Sequence, residues 1–224
     1  MLIYTLINLL FKDPFQFIIA LILITVPLLI SVTFHEAAHG FAAYMFGDDT
    51  PKRQGRLTLN PLAHIDPLGT LMLFIVGIGW AKPVIINPYN IHGRTKQMFV
   101  ALAGPLSNLL LALVFSGCIY LLTKLAGESI NSILALSIYL LNLIVRINFV
   151  LCIFNMIPIP PLDGSRFISW LLPEKLEKKY NMIEPYGMFL LLLLMFTVGF
   201  GFIFQMAVSL QNYLYTFIGI QGIN

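Results

Sequence analysis

Apolar residues run nearly unbroken from Phe15 to Phe34, and comparable runs recur along the chain, each closed by a cluster of Gly, Pro, Asn, Asp or charged residues. Runs of this length without strand-like alternation predict helices. The first extends from about Pro14 to Phe46, which at 1.5 Å per residue is roughly 48 Å, longer than a hydrocarbon core of about 30 Å. Residues 67–80, "PLGTLMLFIVGIGW", are too few for a full crossing and predict a short, tilted or re-entrant helix. Long helices follow over about 97–125 and 131–156. The second is stopped by "NMIPIPPLDG", because Pro158, Pro160 and Pro161 cannot continue it. Beyond the charged loop "LPEKLEKKYN", a last span starts near Glu184 and either continues to Ile218 or breaks near Gly199 and Gly201.

The polar interval "GDDTPKRQGRLTLNPLAHIDPLGT" (47–70) ends the first helix, and within it "RLTLN" (56–60) alternates as a strand does. The pattern therefore predicts an all-α polytopic membrane protein. Its bundle has about five to six helices, with a short extended or re-entrant segment after the first long one.

Composition agrees and narrows the class. Hydrophobic residues make up 58% of the 224 and charged residues only 10%, with a mean hydropathy of +0.88, which excludes an ordinary soluble domain. No polar stretch is long enough to fold separately, so residues 1–224 are read as a single membrane-embedded domain whose surroundings are the lipid bilayer. Lys and Arg fall at the ends of apolar runs, where they suit lipid headgroups; nothing suggests nucleic-acid binding. Cys118 and Cys152 lie inside apolar runs and are read as packing residues. The N-terminal "MLIYTLINLLFKDP" lacks the basic start and cleavage site of a signal peptide, and is expected to be retained along the membrane.

Candidate chemistry lies at the end of the first run, in "TFHEAAHGFAAY" (33–44). Residues four apart on a helix differ by about 40° around its axis, so His35 and His39 face the same way one turn apart and can grip one metal. Glu36, about 100° from His35, can reach a water at that metal without being a ligand, as a general base requires. A chance occurrence would have to place three costly side chains together in a membrane helix. A catalytic zinc site takes a third protein ligand. His64 and His92 lie in loops, and most acidic residues lie in charged surroundings. Asp163, in "PIPPLDGSR", sits where the helix is broken, and an unwound segment can aim a carboxylate into the bundle. An Asp before Gly is otherwise a common turn former. With the histidine pair present, Asp163 is taken as the third ligand of one Zn2+ per chain.

"HEAAHG" (35–40) in an early helix, joined to "NPLAHIDPLGT" (60–70), "GWAKPV" (79–84), "ALAGPLSN" (101–108) and "FNMIPIPPLDGSR" (154–166), resembles the site-2 protease family of intramembrane zinc metalloproteases. The resemblance covers nearly the whole chain and implies zinc on His35, His39 and Asp163, with Glu36 as acid/base. It also implies that Asn155 holds the substrate or the tetrahedral oxyanion. No inserted PDZ domain or nucleotide-sensing domain is present, so the chain looks like a minimal catalytic core. The implied substrate is a transmembrane protein segment, unwound before attack because a helix shields its own peptide bonds. The implied setting is multi-pass in the cell membrane of a prokaryote.

Asn60, His64 and Asn108 are candidates for substrate contact. A loop histidine bonded to backbone is the plainer reading of His64, and interhelical glue that of Asn108. Arg146, in "LIVRINF", is expected to face a partner or the interface. The alternative function is a membrane metal-ion transporter using the His/His/Asp site, which would have no need of Glu36 and usually carries internal repeats.

Overall fold

The computed structural model describes residues 11–76, 79–127, 131–195, 197 and 200–220. Among the described residues the chain is all-α and no strand forms. Its helices are α1 (Pro14–Met45), α2 (Thr50–Arg53), α3 (Pro67–Val76), α4 (Arg94–Ala126), α5 (Ser132–Asn155), α6 (Asp163–Leu171), α7 (Glu174–Asn181), α8 (Gly187–Leu194) and α9 (Phe200–Ile218). Three of them, α1, α4 and α5, are long and apolar enough to cross a membrane. The expectations for residues 1–10 and for a break at Gly199 fall outside the described residues, while Gly201 lies within α9.

Local chemistry sets the helix ends. At the start of α1 the Asp13 carboxylate accepts from Gln16 N–H, with Pro14 at the first helical position, where a missing N–H costs nothing. Beyond its end Gly47 takes φ +103°, a conformation that disfavours any side chain. In α5, Asn131 accepts from Leu134 N–H at the start, and the proline cluster stops the helix at Asn155.

Small residues let these helices approach closely. Ala112 and Ile119 of α4, Val145 and Phe149 of α5, and Ala207 and Tyr215 of α9 share one buried cluster. A polar seam runs beside it. Tyr215 donates to Asn142 Oδ1 (2.6 Å), Gln211 Nε2 donates to the same oxygen (3.1 Å), and Arg146 Nε donates to Gln211 Oε1 (3.1 Å). The Arg146 guanidinium also lies 5.7 Å from the centre of the Phe204 ring. Its charge is thus met by α9, the partner that a charge inside an apolar helix requires.

The chain leaves and returns on the same side around α3. The ten residues of α3 span only about 15 Å. By Trp80 the chain has come back beside Gly69, where any side chain would overlap the Trp80 carbonyl, and Lys82 N–H then donates to the His64 carbonyl (2.9 Å). The loops before and after α3 therefore lie on one side of the bundle.

Residues 56–60 do not form the strand their alternation predicts. Local side chains take up backbone groups a ladder would need: Asn60 N–H donates to Thr58 Oγ1, and His64 Nε2 donates to the Thr58 carbonyl.

The loop after α1 is tied to the approach to α4 by Asp48. This buried carboxylate accepts from Thr50 N–H and Oγ–H (3.1 and 2.6 Å), Asn87 N–H (2.7 Å) and Asn90 Nδ2 (2.8 Å). Burial alone would raise its pKa, but the donors from Thr50, Asn90 and Asn87 outweigh that and hold it below its ordinary value. A carboxyl lowered in the folded state stabilises fully above its unfolded pKa and loses that contribution as pH falls through the folded one. Asp48→Asn should therefore lower the unfolding temperature at pH 7 by several degrees, from about 2 kcal/mol of lost charge-assisted bonding. The gap to wild type should close below about pH 4. A gap that stays constant down to pH 3 would mean that the Asp48 charge contributes nothing.

Candidate metal centre

Two helical stripes face each other across the site. On α1, Ser31, His35 and His39 recur every four residues; on α4, Val100, Gly104 and Asn108 do the same. His39 Nδ1 lies 2.7 Å from the Val100 carbonyl and His35 Nδ1 lies 2.7 Å from Asn108 Oδ1. Pro105, inside the same helix, leaves the neighbouring Ala101 carbonyl without its helical N–H. Gly104 lies between these two contacts. A side-chain carbon there would come within 3 Å of the Nε2 atoms of both histidines.

Asp163 arrives from the other side of the proline cluster. It opens α6 as its first residue, a position where a carboxylate suits the helix dipole. The next residue, Gly164, lets α6 press against the end of α5, because a side chain there would overlap the Met156 carbonyl. Asp163 Oδ2 ends 3.2 Å from both His35 Nε2 and His39 Nε2, which are 3.1 Å from each other. His35 and His39 are each 7% exposed.

This triangle is a test of metal fit. Val100 O and Asn108 Oδ1 can only accept, so each imidazole in its neutral form carries its proton on Nδ1 and turns a lone pair inward from Nε2. With both rings neutral, two lone pairs and a carboxylate oxygen converge on one point, an arrangement that a cation at the centre satisfies. A tetrahedral ion with bonds of about 2.0–2.1 Å would have ligand-to-ligand edges of about 3.3 Å, close to the observed sides. The residues fit a zinc ion.

Glu36 is held outside the triangle, its Oε2 accepting from Val84 N–H (2.9 Å) in the "GWAKPV" segment. Asn155 is the last residue of α5, and its Nδ2 donates to the Leu151 carbonyl (3.0 Å) rather than to the triangle. Asn60 is exposed and caps a short turn through Leu62 N–H. His64 is buried, with its ring on Thr58 and its carbonyl on Lys82. Both belong to the loop that supports residues 79–87. Asn108 is fully buried, with both ends of its amide committed to protein groups, which leaves nothing to offer a substrate; its place is behind His35. His92 is exposed and does not join the group formed by His35, His39 and Asp163.

Sequence reading missed Gly104, Val100, Val84, Ser31 and Asn148. Ser31 and Asn148 carried a signal, since a polar residue inside an apolar run needs a partner and Ser31 stands one turn before His35. Gly104 and Val84 lie inside the stretches "ALAGPLSN" and "GWAKPV", but nothing in those stretches says which atoms they meet, and the Val100 carbonyl carried no signal.

The chain is similar to known proteins over much of its length. The profile of Peptidase family M50 matches residues 116–196, a stretch that includes Asn155 and Asp163. Among curated proteins, "Putative zinc metalloprotease YwhC" of Bacillus subtilis is 41% identical over 182 residues, covering 80% of this chain and 81% of that one. The similarly named Rip2 of Mycolicibacterium smegmatis is 30% identical over 190 residues, covering 82% of this chain and 70% of that one. MJ0611 of Methanocaldococcus jannaschii, named in the same way, is 30% identical over 138 residues, covering 61% and 64%. No solved structure gives a significant match.

Proposed function

Since the chain belongs to peptidase family M50, the site-2 protease family, we propose that it is a multi-pass membrane zinc metalloprotease that hydrolyses peptide bonds in or near transmembrane segments of other proteins. The observation that carries this reading is the convergence of two Nε2 atoms and one carboxylate oxygen, with both Nδ1 atoms on acceptor oxygens. His35, His39 and Asp163 would hold the ion. Bound zinc supplies Lewis acidity toward a peptide carbonyl and lowers the pKa of the attacking water. Glu36 takes the proton of that water and returns it to the leaving amine, with its carboxylate kept in place by Val84 N–H. Asn155 turns its amide from Leu151 to the substrate carbonyl, where it steadies the developing oxyanion.

The substrate binds unwound, with residues 79–87, which run without helix or turn beside Glu36, as the proposed edge for it. The metal-ion transporter reading accounts for the triangle but not for Glu36 on its fixed donor.

Charge supports an orientation. Because the chain returns beside Gly69 and His64 after α3, Lys52, Arg53, Arg56, Lys82, Arg94 and Lys96 all lie at the site end of the bundle, and Arg166, Lys175, Lys178 and Lys179 follow α5 back to it. Lys12 and Lys124 are at the far end, and Arg146 is inside α5. By the positive-inside rule the site opens toward the cytoplasm of a prokaryotic cell.

The test is metal content and cleavage together. Purified protein should carry one zinc and cut peptides derived from membrane spans, and chelation should stop both. Asn155→Ala should keep the zinc and lose roughly 10- to 1,000-fold in turnover, the range for a lost oxyanion donor. Cleavage that survives complete removal of metal would refute the proposal.

A further inference from the structure

We propose that Asn148, on a helix that supplies no ligand, is a positioning residue that holds His35 in its metal-binding tautomer through Asn108. This rests on the zinc reading of the triangle. Asn148 Nδ2 donates to Ser31 Oγ (2.8 Å) and to the Ile144 carbonyl (2.9 Å), which turns its Oδ1 toward α4. Asn108 Nδ2 donates to that Oδ1 (2.8 Å) and to the Ser31 carbonyl (3.1 Å), which turns its own Oδ1 onto His35 Nδ1. Ser31 Oγ–H is committed to the Pro27 carbonyl (2.8 Å), so toward Asn148 it can only accept. Every amide proton is used, and each orientation follows from the one before.

The chain has a direction that matters chemically. An inverted Asn108 amide would present N–H to His35 Nδ1, force the imidazole proton onto Nε2 and remove the lone pair that faces Asp163 and His39. Two acceptors oppose the inversion, the Ser31 carbonyl and the Oδ1 that Asn148 supplies, and the second is the shorter contact. Ser31, Asn108 and Asn148 are all fully buried, so no water stands in for a lost partner. Asn142, less than two turns earlier on α5, provides a contrast: it also bonds a neighbouring helix, through Gln211 and Tyr215, but its network never reaches the histidines.

The experiment uses the full chain in detergent, with Zn2+ affinity measured by competition against a chromophoric chelator and thermal unfolding followed in the metal-free protein. Asn148→Ala should weaken Zn2+ binding about 10-fold, within the range for groups that orient a ligand. The Asn108→Ala, Asn148→Ala double variant should bind no more weakly than Asn108→Ala alone, because Asn148 acts only through Asn108. Asn142→Ala should lower the unfolding temperature and leave Zn2+ affinity unchanged. Ser31→Ala, which keeps its helix and removes the acceptor of Asn148, should shift affinity in the same direction and serves if Asn148→Ala does not fold. Asn148→Ala affinity within twofold of wild type would overturn the proposal, as would single-variant losses that multiply in the double. A wild-type chain that takes up no Zn2+ would instead overturn the metal reading on which it rests.

Discussion

Glu36→Gln should abolish peptide cleavage while leaving the zinc in place. The substitution keeps the length and shape of the side chain, and the Gln carbonyl oxygen can still accept from Val84 N–H, so the "GWAKPV" segment stays where it is. What is lost is the ability to take a proton near neutral pH. General acid/base assistance contributes roughly 10²- to 10⁴-fold, and turnover should fall by that much with no change in metal content. His39→Ala or Asp163→Ala should differ in kind, losing metal and activity together. The measurement is zinc per chain beside initial cleavage rates for the three variants. A Glu36→Gln protein that loses its metal would make Glu36 a ligand, and one that still turns over within a few fold would remove it from the chemistry.

Gly104→Ala should empty the metal site by adding a single carbon. In most helix interiors this exchange is favourable by about 1 kcal/mol, because alanine has less backbone freedom to lose. Here the new carbon would lie within 3 Å of the atoms that face the ion, His35 Nε2 and His39 Nε2. Neither ring can retreat without breaking the hydrogen bond that fixes it, His35 to Asn108 or His39 to Val100. Zinc affinity should drop by more than about 100-fold, beyond the usual effect of changes behind a ligand, and activity should go with it. Gly117, on the same helix with nothing near its missing side chain, is the control: Gly117→Ala should leave zinc and cleavage intact. Full zinc at wild-type affinity in Gly104→Ala would mean that the two helices separate readily, and that the close fit is not what shapes the site.

Much of this protein was legible from local pattern. Unbroken apolar runs gave the long helices, with Asp13, Gly47 and the prolines after Asn155 marking ends within a few residues of those observed. The spacing of His35 and His39 gave the metal pair, because 3.6 residues per turn is a property of any helix. Asp163 stood out because a carboxylate beside a proline break in so apolar a chain needs a partner. Each of these inferences rests on residues close in sequence or on the cost of a charge in lipid, and neither depends on how the helices meet.

The remainder was decided by tertiary contact. Residues 56–60 alternate like a strand, yet alternation specifies only a half-buried surface, and nearby side chains claimed the backbone groups before any neighbour could pair with them. The return of the chain after α3 depends on Trp80 meeting Gly69, which no periodicity encodes. Val84 reaches Glu36 across 48 residues, Val100 reaches His39 across 61, and Asn148 reaches Ser31 across 117. A sequence can reveal that a buried polar group must be satisfied; which distant group satisfies it follows only once packing has brought particular stripes of α1, α4 and α5 face to face.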